Sequence, residues 1–491
     1  VLGTSPADLP PEACRRLWDF SEVCGGLDLF ISQSWSSSGW SKYIGLLMHF
    51  YWARAMATGC GFLALLCILD ILGLLPTVKY GTYRSEADQW SGELNCSPCL
   101  SLAPLATLVS LFAFPIFSGR STTVFLDATC INQSDQQLKT AGIRSISGFL
   151  GNSKSMLVLW SPGYFSRLWC MYELAVYSAM PDGGQITFCP LFFRAMVLTC
   201  FVLFMVTSGP NFRAMNSDII SEGTQPGQFL MILLVLPALT MMVHMSRRYM
   251  REKRALLTLF ENFSTEEAEC RMKSDRKIII GSIQNLYGST DNFDLYVRNH
   301  LKEHMMKTMP HFGLDYATLA PICFPCHCSL LQVIIALARA GMPLLVLLPT
   351  ALMMLAQGLF VYPTLTKMMM LVCDRFSAED RKSRLANIST TVAIALLFTL
   401  VVCYCLLVAP FVLRRSRVGG YMYFATAGLV AWYTFRSLQP RTATSHPRLA
   451  RSWAEAIVEG ADLHPISEAS RDVSSGRTSS EGGGGAPVYS I

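Results

Sequence analysis

Charge is what this chain has least of. Asp, Glu, Lys and Arg make up 15% of its 491 residues, against about 25% in a soluble domain. Hydrophobic residues make up 52%, and the mean hydropathy is +0.36. A surface this poor in ions excludes a protein bathed in water on every side. Cysteine spacing is also missing: the 17 cysteines are scattered, several of them (Cys60, Cys67, Cys200, Cys403, Cys405) inside apolar runs where a thiol acts as a small hydrophobe. That excludes a disulfide scaffold. No basic stripe interleaved with aromatics is present, so nucleic acid is not an expected partner. There is no internal repeat, and residues 1–25 contain no apolar h-region of the kind a signal peptide needs.

What is there is apolar length. Runs near or above the ~18 residues that span a bilayer lie near 55–75, 99–117, 190–208, 228–245, 342–363, 390–413 and 419–436, with a weaker run at 322–338. The chain therefore reads as a multi-pass membrane protein, its main partner the lipid bilayer. Lys and Arg sort the sides. Loops 76–98 and 209–227 are poor in them, whereas Ser246 to Arg254 (SRRYMREKR) is densely basic and belongs on the cytosolic side. Residues 322–363 read as one span or as two turning at Ala340-Gly341-Met342-Pro343, giving seven or eight spans; charge bias favours eight. Asp70, inside the first span, is an intramembrane carboxylate, either functional or reaching the outer interface. Without paired broken helices, a channel or transporter is the least favoured class.

The domain order expected is an N-terminal segment at 1–26, an α/β domain in two pieces at 27–52 and 120–191, and a two-span insertion between them at 53–119. A transmembrane hairpin follows at 190–245, then a helical cytosolic region at 246–320, read as a juxtamembrane linker packing under the α/β domain. Transmembrane helices occupy 322–436, and a disordered Ser-, Gly- and Arg-rich tail runs over 437–491. Leu27 to Ser32 (LDLFIS) is a short strand, and the helix after it places Trp40, Tyr43, Ile44 and Leu47 on one face. Val124 to Asp127 (VFLD) and Ser155 to Pro162 (SMLVLWSP) are apolar runs ending in polar or loop residues, as buried strands do, and QITFCPL supplies a last strand. Ligand sites in such sheets gather at the carboxyl ends of strands, which points to Ser32, Gln33, Ser34, Trp35 and Asp127.

DLFIS, VFLD, and SMLVLWSPGYFSRLWCMYEL at 155–174, in that order, resemble the Toll/interleukin-receptor (TIR) domain superfamily. FLDATCINQSDQQ is similar to the fungal heterokaryon-incompatibility domain, a relative of it. The resemblance implies a flavodoxin-like α/β domain, here split by an insertion and mounted on an all-α polytopic region. It implies signalling by self-association or, alternatively, an NAD⁺ nucleosidase with NAD⁺ as substrate and no bound cofactor. In enzymatic relatives the Glu of W-C-x-x-E-L is catalytic, which falls on Glu173, and Trp169 would stack on a ring. A carboxylate there would hold ribose hydroxyls and stabilise developing oxocarbenium charge. The chain departs from those relatives in having no basic residue among Ser32-Gln33-Ser34.

Lesser candidates carry a structural alternative. Asp127 binds a ligand or caps the next loop, the latter favoured. Cys130 is a nucleophile or, with no His near it in sequence, a buried thiol. Cys323, Cys326, His327 and Cys328 are too crowded for a tetrahedral metal site and sit where palmitoylation occurs. Cys96 and Cys99 are spaced for a local disulfide, and Asn95-Cys96-Ser97 matches a glycosylation acceptor.

Overall fold

The computed structural model describes residues 9–85, 90–117, 119, 122–180, 184–215, 226–308, 314–377, 384–415, 417–437 and 488–490. The eight strands among them are β1 (Glu22–Cys24), β2 (Leu29–Gln33), β3 (Val78–Ser85), β4 (Trp90–Cys96), β5 (Val124–Leu126), β6 (Ser155–Trp160), β7 (Gln185–Pro190) and β8 (Val488–Ser490). Most of the remaining described chain is helical.

A four-stranded sheet in the order β5-β2-β6-β7 has every neighbouring pair parallel. β2 sits inside it, Phe30 registered against Phe125 on one side and Met156 on the other, so chain segments about ninety residues apart share one ladder. All five residues of β2 are buried, and β6 is buried from Met156 to Trp160. Parallel strands covered on both faces read as continuous apolar runs, and VFL, LFIS and MLVLW are such runs. Phe30 stacks on Phe125 with ring centroids 4.5 Å apart.

The helix after β2 differs from expectation in two ways. It runs without a break from Gly39 to Ile71, joining sheet layer and first apolar segment in one 33-residue rod. No Pro lies between Trp52 and Ile71 to end it. Its buried stripe near the sheet is Lys42, Gly45, Leu47 and Met48, whereas Trp40 and Tyr43 face outward. The helix Pro226–Glu261 is equally continuous, so the apolar run at 228–245 and the basic stretch after it form one element. Between the first two apolar helices the chain is a hairpin: β3 and β4 pair antiparallel across a region read as loop. Asn95 is exposed on it, and Cys96 and Cys99, though spaced for a local disulfide, are free thiols.

Six helices among the described residues are long and apolar enough to cross a bilayer, as a multi-pass membrane protein requires: Gly39–Ile71, Pro98–Phe117, Leu191–Ser208, Tyr316–Arg339, Leu344–Ser377 and Arg384–Val402. Residues 322–363 fold as two helices, with Gly341 at φ +77° in the turn, where a side chain would be strained. Gly59 lets the first two rods touch; a Cβ there would clash with the Thr107 side chain. Asp70 is buried, and its carboxylate accepts from Arg339 Nη1 at 2.8 Å. Cys323, Cys326 and Cys328 are buried against neighbouring helices, out of reach of an acyl transferase. The tail at 437–491 lies outside the described residues except Ser437 and β8, which pairs antiparallel with β1.

Residues 246–320 pack against the α/β domain, as a juxtamembrane helical region lying under it should. Helices Lys273–Tyr287 and Thr290–Tyr296 bury Ile279, Ile283 and Phe293 in the same core as the sheet's helices. Phe260 meets Phe165 at 4.9 Å.

Candidate functional site

β2, β5 and β6 end at the same edge, and the loops leaving them form a crevice of about 110 Å³. Gln33 ends β2, Ser34 and Trp35 come from the loop after it, Asp127 follows β5, and Trp169 and Cys170 come from the helix Leu168–Ala179. The opposite wall is Glu269 to Met272 with Asp275, from the region read as a linker. Backbone bonds seat it: Leu168 N donates to Glu269 O at 3.0 Å, and Glu269 N to Ser166 O at 2.8 Å. Lys139, Arg167 and Arg271 bring positive charge to the lining, facing Asp127, Glu269 and Asp275.

Asp127 has both carboxylate oxygens hydrogen-bonded. Its Oδ1 accepts from the N–H of Ala128 at 2.9 Å, within the single helical turn Asp127–Cys130. The same oxygen accepts from Gln33 Nε2, and Oδ2 from Trp35 Nε1, each at 3.0 Å. Half-buried in the lining, its carboxyl is raised above the ordinary carboxylate range by desolvation, which these bonds only partly offset. Lys42, wholly buried, holds its Nζ 4.7 Å from the centroid of the Trp35 ring and has no hydrogen-bond partner among the described residues.

Glu173 lies beneath the crevice, not in its wall. It is 2% exposed, and both oxygens are engaged. Ser32 Oγ donates to Oε2 and Trp169 Nε1 to Oε1, each at 2.5 Å. Ser32 is itself 2.6 Å from the buried hydroxyl of Tyr164. Burial pushes the Glu173 carboxyl up to about 8; the Ser32 and Trp169 bonds resist this, and the charge of Asp127 adds to it. Near neutral pH the group is mostly a neutral acid tying β2 to the helix Leu168–Ala179. The structure therefore brings Gln33, Ser34, Trp35, Asp127 and Trp169 together around the opening and sets Ser32 and Glu173 below them.

Cys130 is buried under the same loop, where Leu126 N donates to its sulfur at 3.4 Å; burial pushes the thiol up to about 11, as inert as a core residue. Among the described residues no three His, Cys, Asp or Glu side chains are placed to hold a metal ion. Sequence reasoning missed Lys42, Tyr164 and the 269–275 wall. Tyr164 had a local signal, the Ser161-Pro162 turn that lifts it back over the sheet edge. The wall had none. No family model, curated protein or solved structure matches this chain.

Proposed function

We propose that this chain is a multi-pass membrane protein whose TIR-like module, on the cytosolic side, signals by binding and self-association and not by turnover. The observation that carries the reading is Glu173, buried, with both oxygens committed to Ser32 and Trp169. A carboxyl so held cannot grip a ribose diol unless Trp169 leaves it. Side assignment follows from the basic stretch Ser246 to Arg254, which continues the helix Pro226–Glu261 toward the module. Self-association follows from the family resemblance.

NAD⁺ hydrolysis is the second reading, favoured by one feature: Glu173 is hydrogen-bonded to Trp169, which itself lines the crevice. Full-length protein in lipid nanodiscs, incubated with NAD⁺, separates the two. Our reading expects no nicotinamide above a protein-free control, and self-association in membranes, read by energy transfer between labelled copies, that persists in Glu173→Gln. Nicotinamide release that Glu173→Gln abolishes overturns it.

A further inference from the structure

A second concavity, of about 660 Å³, lies between the helices Pro226–Glu261 and Arg384–Arg415, away from the crevice. That volume falls within the ~300–1,000 Å³ typical of ligand pockets. Its chemistry changes along its length. Pro237 and Met241 line it on the first helix, and Ile388 and Val392 on the facing helix, where their neighbours Asn387 and Thr391 lie level with Arg247. Further along the first helix the lining becomes His244, Arg247 and Arg251. These positions recur every three or four residues, so they form one stripe, and ten residues at ~1.5 Å each carry it about 15 Å from Met241 to Arg251. Among the described residues, no carboxylate lines the groove.

The two basic ends do different jobs. Arg247 is buried and holds the groove's walls together: Nη1 donates to Asn387 O at 2.7 Å and to Thr391 Oγ1 at 2.6 Å. Arg251 and His244 are exposed at the rim, and Met241 and Ile388 are 45% and 60% exposed below them. An exposed apolar trough beneath a cationic rim, at the level where an apolar helix becomes a basic one, matches one kind of molecule end to end. That molecule is an amphiphile with an anionic head.

We propose that this groove binds an anionic phospholipid of the leaflet on the α/β module's side, its phosphate at Arg251 and His244 and one acyl chain along Met241, Ile388 and Val392. Basic pockets between membrane helices recognise lipid head groups in this way, and Arg suits phosphate through paired N–H donors. The inference rests on the spans alone and holds whatever the crevice does.

The test uses full-length protein delipidated in neutral detergent, with binding followed by native mass spectrometry and thermal stability. The probes are phosphatidylglycerol, phosphatidylcholine and inorganic phosphate. Phosphatidylglycerol should bind about tenfold more tightly than phosphatidylcholine, the worth of one charge-assisted contact, and should raise the melting temperature where phosphate does not. Arg251→Gln, at an exposed site, should erase most of that preference. Val392→Trp, which fills the apolar wall, should weaken both lipids. Equal binding of the two lipids, an unchanged preference in Arg251→Gln, or full stabilisation by phosphate alone overturns the proposal.

Discussion

Two buried carboxyls, one in each half of the molecule, are satisfied in opposite ways. Glu173, in the α/β module, is surrounded by neutral donors, Ser32 and Trp169, and burial keeps its proton on. Asp70, in the first apolar helix, meets a full positive charge, Arg339, at 2.8 Å. The difference follows from what each neighbourhood can offer. At the end of β2 the sheet edge supplies hydroxyls and an indole, enough to solvate a neutral acid. Between apolar helices there is little besides hydrocarbon, and an acid there is tolerated when a cation neutralises it. One site is a hydrogen-bond network and the other an ion pair, and they should break differently.

The largest effect should come from the ion pair. Arg339→Gln leaves Asp70 buried beside no cation, and breaking such a pair from one side costs about 3–5 kcal/mol. The apparent melting temperature of full-length protein in detergent should drop sharply. Adding Asp70→Asn should restore most of it, because no lone charge then remains. If the double variant is no better than the single one, Asp70 is not held by charge and the contrast with Glu173 disappears.

Glu173 should give a graded response to pH. Its folded pKa of about 8 lies above the ordinary Glu value of 4.5, so between those limits the folded state keeps a proton that the unfolded chain has released. Stability falls with rising pH wherever the folded state binds more protons. The Glu173 contribution is therefore whole below about 4.5 and lost progressively toward 8; Asp127, also raised, tilts the same way. Melting temperatures of Glu173→Gln measured from pH 5 to 8 should show a flatter decline than wild type. Parallel slopes would mean Glu173 is ionised in the folded protein.

How far these sites were legible follows from the range of the signals. The strands of the sheet were readable because LFIS, VFL and MLVLW are short apolar runs ending in polar residues, a pattern local to a few positions. The crevice residues after β2 and β5 were readable for the same reason, since loops at strand ends are where a parallel sheet exposes chemistry. Helix boundaries were less so: nothing between Trp52 and Ala55 or between His244 and Arg254 stops a helix, and division by hydropathy cut two continuous rods. The β3–β4 hairpin did leave a trace, because polar Ser91, Glu93 and Asn95 alternate with Trp90, Leu94 and Cys96, with period two. Interactions across long separations left none. Asp70 and Arg339 lie 269 positions apart, and Glu269 reaches the sheet edge through backbone bonds that carry no side-chain pattern.

The smallest effect belongs to a carboxylate at the opposite, amino end of β2. Asp28 accepts from Lys154 Nζ at 2.8 Å and from Thr123 through its N–H at 3.1 Å and Oγ1 at 2.9 Å. The Lys154 bond, then those from Thr123, hold its carboxyl down at about 2. Here the sign is the reverse of Glu173: stability is present above the ordinary carboxylate pKa and is lost only as pH falls toward 2. Asp28 is 38% exposed and Lys154 78%, so water already does most of what each does for the other. Lys154→Ala should leave the melting temperature at pH 7 within about 1 °C of wild type, since exposed pairs contribute little, and the Thr123 bonds should still keep Asp28 ionised. A drop as large as that of Arg339→Gln would show that the surface of the module depends on ion pairs as the bundle does, and the distinction between the two halves would have to be drawn by depth instead.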